Sequence, residues 1–256
     1  MQANNFSLDL YLQRINFVGQ PEATIEGIAS LMLHQLYAVP FENLDVQAGK
    51  VVSLVPEHIV DKIVHQGRGG YCYEINGLFC MALQELDVPY QWVAARPMFY
   101  PVRRPKTHMA IVVQLEGRQW LVDLGFGSYG ITAPMALDAL GLEVKQGYDT
   151  FKLTRSENGD YLLQALVEGI WANQYGFDLS AQEWVDFDPA NYLNSTHPDA
   201  VFVKSLLVIG HNKRGRNILF GNSLKTVVDG IASKRTVDPN EIDMLLQTTF
   251  AVTRPS

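Results

Sequence analysis

The residues with the plainest chemical potential lie in the run Arg68, Gly69, Gly70, Tyr71, Cys72, Tyr73, Glu74, Ile75, Asn76, Gly77, Leu78, Phe79. Paired glycines allow a tight turn and the close approach of another group, and here they stand directly before a helical pattern. Cys72 therefore falls at a predicted helix N-terminus, where unpaired N–H groups and the helix dipole favour a thiolate over a thiol. A free thiol of pKa ~8.5 is only about 3% ionised at pH 7, so full ionisation would raise the nucleophile concentration roughly thirtyfold. The alternative is a small buried hydrophobe, the usual role of a lone intracellular cysteine. Cys80, amid Leu78, Phe79 and Met81, fits that alternative well; Cys72, beside glycine, tyrosine, glutamate and asparagine, fits it poorly. On one helix the two cysteines would lie ~12 Å apart, too far for a disulfide. Both read as free thiols in a reducing compartment.

A thiolate nucleophile needs a cationic or proton-accepting partner, and the candidates are His34, His58, His65, His108, His197 and His211. Context separates them. His108 opens the strand-like run MAIVVQL (109–115), and Asp123 falls near the end of QWLVDL (119–124). If Glu116 and Gly117 make a two-residue hairpin turn, Leu115 faces Arg118, His108 faces Gly125 and Asp123 faces Ala110. His108 and Asp123 then become diagonal neighbours on one sheet face, ~7 Å apart at Cα and within side-chain reach. An Asp buried against an imidazole fixes its tautomer and stabilises the imidazolium. An exposed hairpin histidine and a turn aspartate remain the alternative for each residue taken singly.

The elements that must position these groups follow from the pattern. From Leu8 to about Leu86 apolar residues recur at helical spacing, cut into short helices by Pro21, Pro40 and Pro56. After Pro89 the texture is β-like, in runs that include TFKLTR (150–155) and YLLQALV (161–167). From about Pro189 an apolar run, VFVKSLLVIG, precedes a possible hairpin around Lys213 to Arg216 and a helix from Asn240 to Phe250. The α+β organisation expected is a helical segment (1–88) carrying the cysteine, a β-rich segment (89–188) carrying His108 and Asp123, and a mixed segment (189–256) packed across both. The chain has 256 residues, 47% hydrophobic and 18% charged, an ordinary globular composition. Its net charge of −7 gives no polyanion footprint, so nucleic acid is a poor candidate partner. No apolar run is long enough to span a membrane, and the N-terminus lacks the order of a secretory signal, leaving the cytoplasm as the expected location. Two basic clusters, Arg103, Arg104 and Lys106, and Lys213, Arg214 and Arg216, could meet an anion; solvated loop charge is the default reading of both. Neither HExxH nor paired CxxC occurs, so no metal is expected.

The run RGGYCYEINGLF, followed by His108 and then DLGFG (123–127), resembles the signature segments of the arylamine N-acetyltransferases. YLQRI (11–15), PFENLDV (40–46) and NSTHPDAVF (194–202) are similar to other segments of that family in order and spacing, so the likeness spans nearly the whole chain. It departs at Ala200, where a polar residue is common, and its C-terminus looks short for a bacterial member. The resemblance implies an N-terminal helical bundle, a central β-barrel and a C-terminal α/β lid. It implies Cys72 as nucleophile, His108 as base and Asp123 as its orienting partner. It also implies a buried charged group of Arg14, Glu42 and Arg68 supporting the site, and Phe41, Phe126 and Phe202 lining an acceptor pocket.

The activity so implied is ping-pong acetyl transfer from acetyl-CoA, as co-substrate, through acetyl-Cys72 to an arylamine or arylhydrazine. Three other readings predict different behaviour. A papain-like thiol hydrolase would pass the acyl group to water, a related amide synthase would close a tethered amine onto its own thioester, and a binding module would form no acyl-cysteine.

Overall fold

In a computed structural model, which describes residues 1–127 and 129–255, helices dominate the first third of the chain. They are α1 (Leu8–Arg14), α2 (Ile25–Ala38), α3 (Leu44–Gln47), α4 (Pro56–Val60) and α5 (Cys72–Glu85), with a two-residue strand β1 (Phe41–Glu42) before α3 and one π turn, Asp61–His65, after α4. Thr24 caps α2 by accepting from Gly27 N, and Pro56 opens α4 where its missing N–H costs nothing. Helix α5 is the central one: from Cys72 to Leu83 every residue is buried, including Glu74 and Asn76. A helix apolar on one stripe could not tolerate this; α5 is packed on all sides.

The strands β2 (Tyr90–Pro97), β3 (His108–Leu115), β4 (Arg118–Val122), β5 (Met135–Ala136), β6 (Val144–Gln146), β7 (Asp149–Arg155), β8 (Tyr161–Val167) and β9 (Ile170–Phe177) form an antiparallel sheet in the order β5-β4-β3-β2-β9-β8-β7-β6. It curls into a nearly closed barrel. The seam is stitched by Gln146, at the end of β6, which accepts from Thr132 N and Ala133 N and donates to Ala133 O just ahead of β5. The β3–β4 register has Leu115 opposite Arg118 and Ile111 opposite Val122, as the hairpin arithmetic required. Glu116 and Gly117, at φ 53° and 72°, supply the two left-handed residues of that turn. Pairing ends one residue earlier than the run QWLVDL suggests, at Val122, so Asp123 lies just past the strand.

The rest of the chain contributes α6 (Asp188–Thr196), α7 (Val201–Lys204), the meander β10 (Leu207–Asn212), β11 (Gly215–Phe220), β12 (Ser223–Val228), β13 (Ile231–Thr236), and α8 (Ile242–Phe250). The expected hairpin turns at Lys213 and Arg214, and one 3-10 turn stands where the final helix was expected to begin. The run VFVKSLLVIG divides into α7 and β10. Strand β1 joins this second sheet as its edge, Phe41 opposite Ile209, although it comes from the helical third of the chain. Leu44 likewise belongs to the small core of Val208, Leu219, Leu245, Leu246 and Phe250 rather than to the main one. Residues 41–44 are thus an anchor on which the C-terminal part is built. Among the described residues no helix is long and apolar enough to cross a membrane.

Candidate active site

Cys72 is the first residue of α5, and the segment before it is held from three directions. Gly70 bridges to Phe41, with Glu42 N donating to Gly70 O at 2.8 Å. A Cβ at Gly69 would stand 2.1 Å from Pro40 O, and one at Gly70 would meet the Glu74 side chain at 2.8 Å, so the paired glycines are demanded by close approach. Glu74 then reaches back to accept from Tyr71 N at 3.0 Å, satisfying an amide ahead of the helix.

The DLGFG segment comes to the same point from the barrel. Gly125 packs on Cys72: a Cβ there would lie 2.6 Å from Cys72 Cα. One turn beyond Cys72, the Asn76 amide donates to Met109 O (2.7 Å) and to Asp123 Oδ1 (3.0 Å), and its oxygen accepts from Leu124 N (2.9 Å). This single buried side chain fastens α5 to strand β3 and to the segment just past β4. Nothing in the pattern of residue types singles out Asn76 beyond its i+4 spacing from Cys72.

His108 Nε2 lies 2.7 Å from Asp123 Oδ2, which leaves the other ring nitrogen to exchange a proton on the side of Cys72. The three are buried, with exposures of 3%, 4% and 1% for Cys72, His108 and Asp123. Asp123 Oδ1 also accepts from Gly125 N at 2.9 Å, so both carboxylate oxygens are engaged. Burial alone would depress the imidazolium and raise the carboxyl. For His108 the Asp123 charge and the hydrogen bonds to Asp123 and Cys72 outweigh burial, holding its pKa up at about 10. For Asp123 burial is outweighed by His108, Asn76 and Gly125, leaving it below its ordinary value. Tyr175, which sequence reasoning missed, packs its ring 5.0 Å from the imidazole and buries its hydroxyl beside Asp123 without reaching hydrogen-bond geometry.

Above Cys72 and His108 opens a cavity of about 550 Å³ with mostly apolar walls. Phe41, Phe126 and Phe202 all line it; Phe126 stacks edge-on against His108 at 5.1 Å, and Phe41 and Phe202 stand 5.8 Å apart.

Against known proteins, the N-acetyltransferase family model matches residues 24–254. The arylamine N-acetyltransferase of Escherichia coli K12 is 32% identical over 217 residues, 84% of this chain and 76% of that one. That of Mycolicibacterium smegmatis is 31% identical, covering 91% and 92%. The chain belongs to the arylamine N-acetyltransferase family. The solved arylamine N-acetyltransferase of M. tuberculosis superposes with a TM-score of 0.92 at 30% identity, covering 96% of this chain and 94% of that one. The Mycobacterium marinum enzyme, solved in complex with CoA, gives 0.91 at 31%, covering 96% and 93%.

In this family member the charged group below the cysteine loop is larger than the resemblance implied. Arg68 donates through Nε (3.0 Å) and Nη2 (2.7 Å) to Glu42 Oε1. Lys62 sits among three carboxylates: Asp45 at 2.6 Å, Glu74 at 2.7 Å and Glu42 at 3.9 Å. Burial opposes the Lys62 charge, but these carboxylates raise its pKa well above the ordinary value; burial keeps that of Glu74 above its own. Among the described residues Arg14 makes no ion pair there. It donates to the carbonyls of Ile63, Ala38, Gly67 and Arg68, tying α1 to the chain that leads into the cysteine loop. Lys62, Asp45 and Glu74 went unnoticed in the sequence because their meeting depends on the fold.

The two basic clusters come apart. Arg216 is buried, paired with Asp149 and stacked on Tyr129 at 4.8 Å; Arg214 pairs with Asp229 in an exposed turn. Lys106 pairs with Asp178, Arg103 is exposed, and Arg104 lines the cavity. Among the described residues no group of three or more His, Cys, Asp and Glu side chains could hold a metal ion.

Proposed function

We propose that this arylamine N-acetyltransferase works by ping-pong transfer through an acetyl-Cys72 intermediate, with acetyl-CoA as donor and an arylamine or arylhydrazine as acceptor. The observation carrying this reading is the buried chain Cys72–His108–Asp123 at the floor of an apolar cavity that opens to solvent. The His108 imidazolium, held up by Asp123, is the cationic partner that a cysteine nucleophile needs beside it. The thiolate attacks the thioester carbonyl, the C–S bond to CoA breaks, and His108 gives its proton to the departing CoA thiolate. The amine then attacks acetyl-Cys72, His108 takes the amine proton, and the C–S bond to Cys72 breaks, restoring the pair. Asp123 stabilises the imidazolium at both ends of the cycle without itself being protonated. Backbone N–H groups in the first turn of α5 are the natural donors to the tetrahedral oxyanion. Phe41, Phe126 and Phe202 supply faces on which an aryl ring stacks. The relative solved with CoA and relatives named for arylamine acetylation support the donor and acceptor classes.

Intact mass after mixing with acetyl-CoA tests the reading. An acetyl adduct present in wild type, absent in Cys72→Ala and discharged by an arylamine as amide appears is the expected result. Absence of an adduct from wild type, or an adduct that persists in Cys72→Ala, would overturn it.

A further inference from the structure

The apolar cavity has one arginine in its wall. Arg104 lies on the β2–β3 connection, four residues before His108, and its guanidinium stacks on Tyr100 at 5.2 Å. The rings continue inward: Tyr100 to Phe99 at 4.3 Å, Phe99 to Phe126 at 5.9 Å, Phe126 to His108 at 5.1 Å. An aromatic wall thus runs from the reacting imidazole to a fixed positive charge. The connection is held because Arg96 donates to Arg104 O, and Arg104 Nη2 donates to Asp199 O at 3.3 Å. The Asp199 carboxylate is paired with Lys204 at 2.7 Å and feels the Arg104 charge only at longer range; among the described residues no carboxylate lies within ion-pair distance of Arg104. A half-buried guanidinium with several N–H donors uncommitted to an anion, at the end of a stacking surface, is a carboxylate receptor.

We infer that Arg104 selects acceptors that carry an anionic group, a carboxylate above all, on the far side of the aryl ring from the amine. This deepens the acetyl-transfer reading and rests on it. The amine enters at Cys72, the ring lies along Phe126 and Phe99, and the carboxylate meets Arg104 at the outer end. CoA offers an anion too, but its diphosphate stands a full pantetheine arm from the reacting sulfur. Four extended residues can carry Arg104 no more than ~14 Å from His108 at Cα, and its side chain turns back into the cavity. A substituent one or two rings from the amine suits that placement better.

The test compares isosteres of matched shape at two lengths, 4-aminobenzoate against 4-aminobenzamide, and 4′-aminobiphenyl-4-carboxylate against its carboxamide, with the intrinsic difference in amine nucleophilicity cancelled by comparing wild type with the Arg104 variants. At one length or both, wild type should prefer the carboxylate in kcat/KM by about tenfold or more, chiefly through KM, the range of a charge-assisted pair. Arg104→Gln should cut the preference about tenfold, to what amine nucleophilicity alone gives, Arg104→Lys should keep part of it, and Arg103→Gln, on the exposed neighbour, should retain it. No preference in wild type at either length, or a preference that is as large in Arg104→Gln as in wild type, would overturn the inference. So would a slowed formation of acetyl-Cys72 in Arg104→Gln with equal losses for both isosteres, which would assign the anion to CoA. If neither acetyl-Cys72 nor any amide forms in wild type, the acetyl-transfer reading itself falls.

Discussion

At the scale of single residues, Asp123 sets the state of His108. Asp123→Asn would keep the shape, but its amide can present a donor where the carboxylate only accepts, favouring the wrong imidazole tautomer and withdrawing the charge that supports the imidazolium. Its kcat should fall on the order of 10³–10⁴-fold while the fold persists, as steady-state kinetics with far-ultraviolet dichroism would show. The same pair makes a stability claim with a definite sign. His108 rises from an ordinary 6.5 to about 10 on folding, so its contribution is full below 6.5 and is lost as pH climbs through about 10. Asp123 is depressed below its ordinary 3.8, so its contribution is present above that value and lost as pH falls through the lowered one. Urea midpoints of wild type and Asp123→Asn should therefore differ most between about pH 4 and 7 and converge toward both extremes. A gap that widens above pH 10 would contradict the assignment. Gly125 makes an independent case: a Cβ 2.6 Å from Cys72 Cα must push backbone, not a flexible tip. Gly125→Ala should cost on the order of a hundredfold in kcat/KM, since a displacement of about 1 Å at a nucleophile has that effect.

At the scale of elements, the site is a meeting of one helix and one hairpin, and the two were unequally legible. The hairpin was readable because its determinants are local: alternation in MAIVVQL and QWLVDL, and a Glu116-Gly117 turn whose left-handed backbone glycine accepts without strain. From these the facing of His108 and Asp123 follows by counting. The helix N-terminus at Cys72 was readable from the glycines before it, although why there must be two appears only when Pro40 and Glu74 are seen against them. What stayed hidden is whatever joins distant segments. Lys62, far from Glu42 and Asp45 in sequence, gave no sign that a π turn would deliver it to three carboxylates. Removing that cation should be costly. Lys62→Met leaves Glu42, Asp45 and Glu74 facing Arg68 alone and should destabilise by about 3–5 kcal/mol at neutral pH. The pKa of Glu74 is already raised by burial and would rise further, so acid would neutralise it and the deficit should shrink as pH falls. Denaturant unfolding at pH 7 and 5 would show this; a pH-independent deficit would mean that packing, not charge, is what Lys62 supplies.

At the scale of the molecule, the cavity has walls from every part of the chain, so its shape depends on how the C-terminal part is held against the rest. Phe41 comes from the helical third, Phe126 from beyond the barrel hairpin and Phe202 from α7. The hold is concentrated in residues 41–44. Phe41 and Glu42 pair with β10, and Leu44 fills the small core under the second sheet. Asn43, 1% exposed, donates to Phe202 O (2.7 Å) and Ser205 O (2.8 Å) and accepts from Leu207 N (2.7 Å). One side chain thus fixes both ends of the α7–β10 connection and, through the carbonyl of Phe202, one wall of the cavity. Asn43→Ala would leave those backbone groups without their partner, costing about 2–3 kcal/mol of stability. Because the freed segment carries an aryl-stacking residue, the arylamine KM should rise severalfold. Acetylation of Cys72 should be touched less, because Cys72, His108 and Asp123 are fastened through Asn76 on the opposite side of the cavity floor. Separate measurement of the two half-reactions decides the point: equal slowing of both would mean that the anchor supports the whole site rather than the acceptor wall.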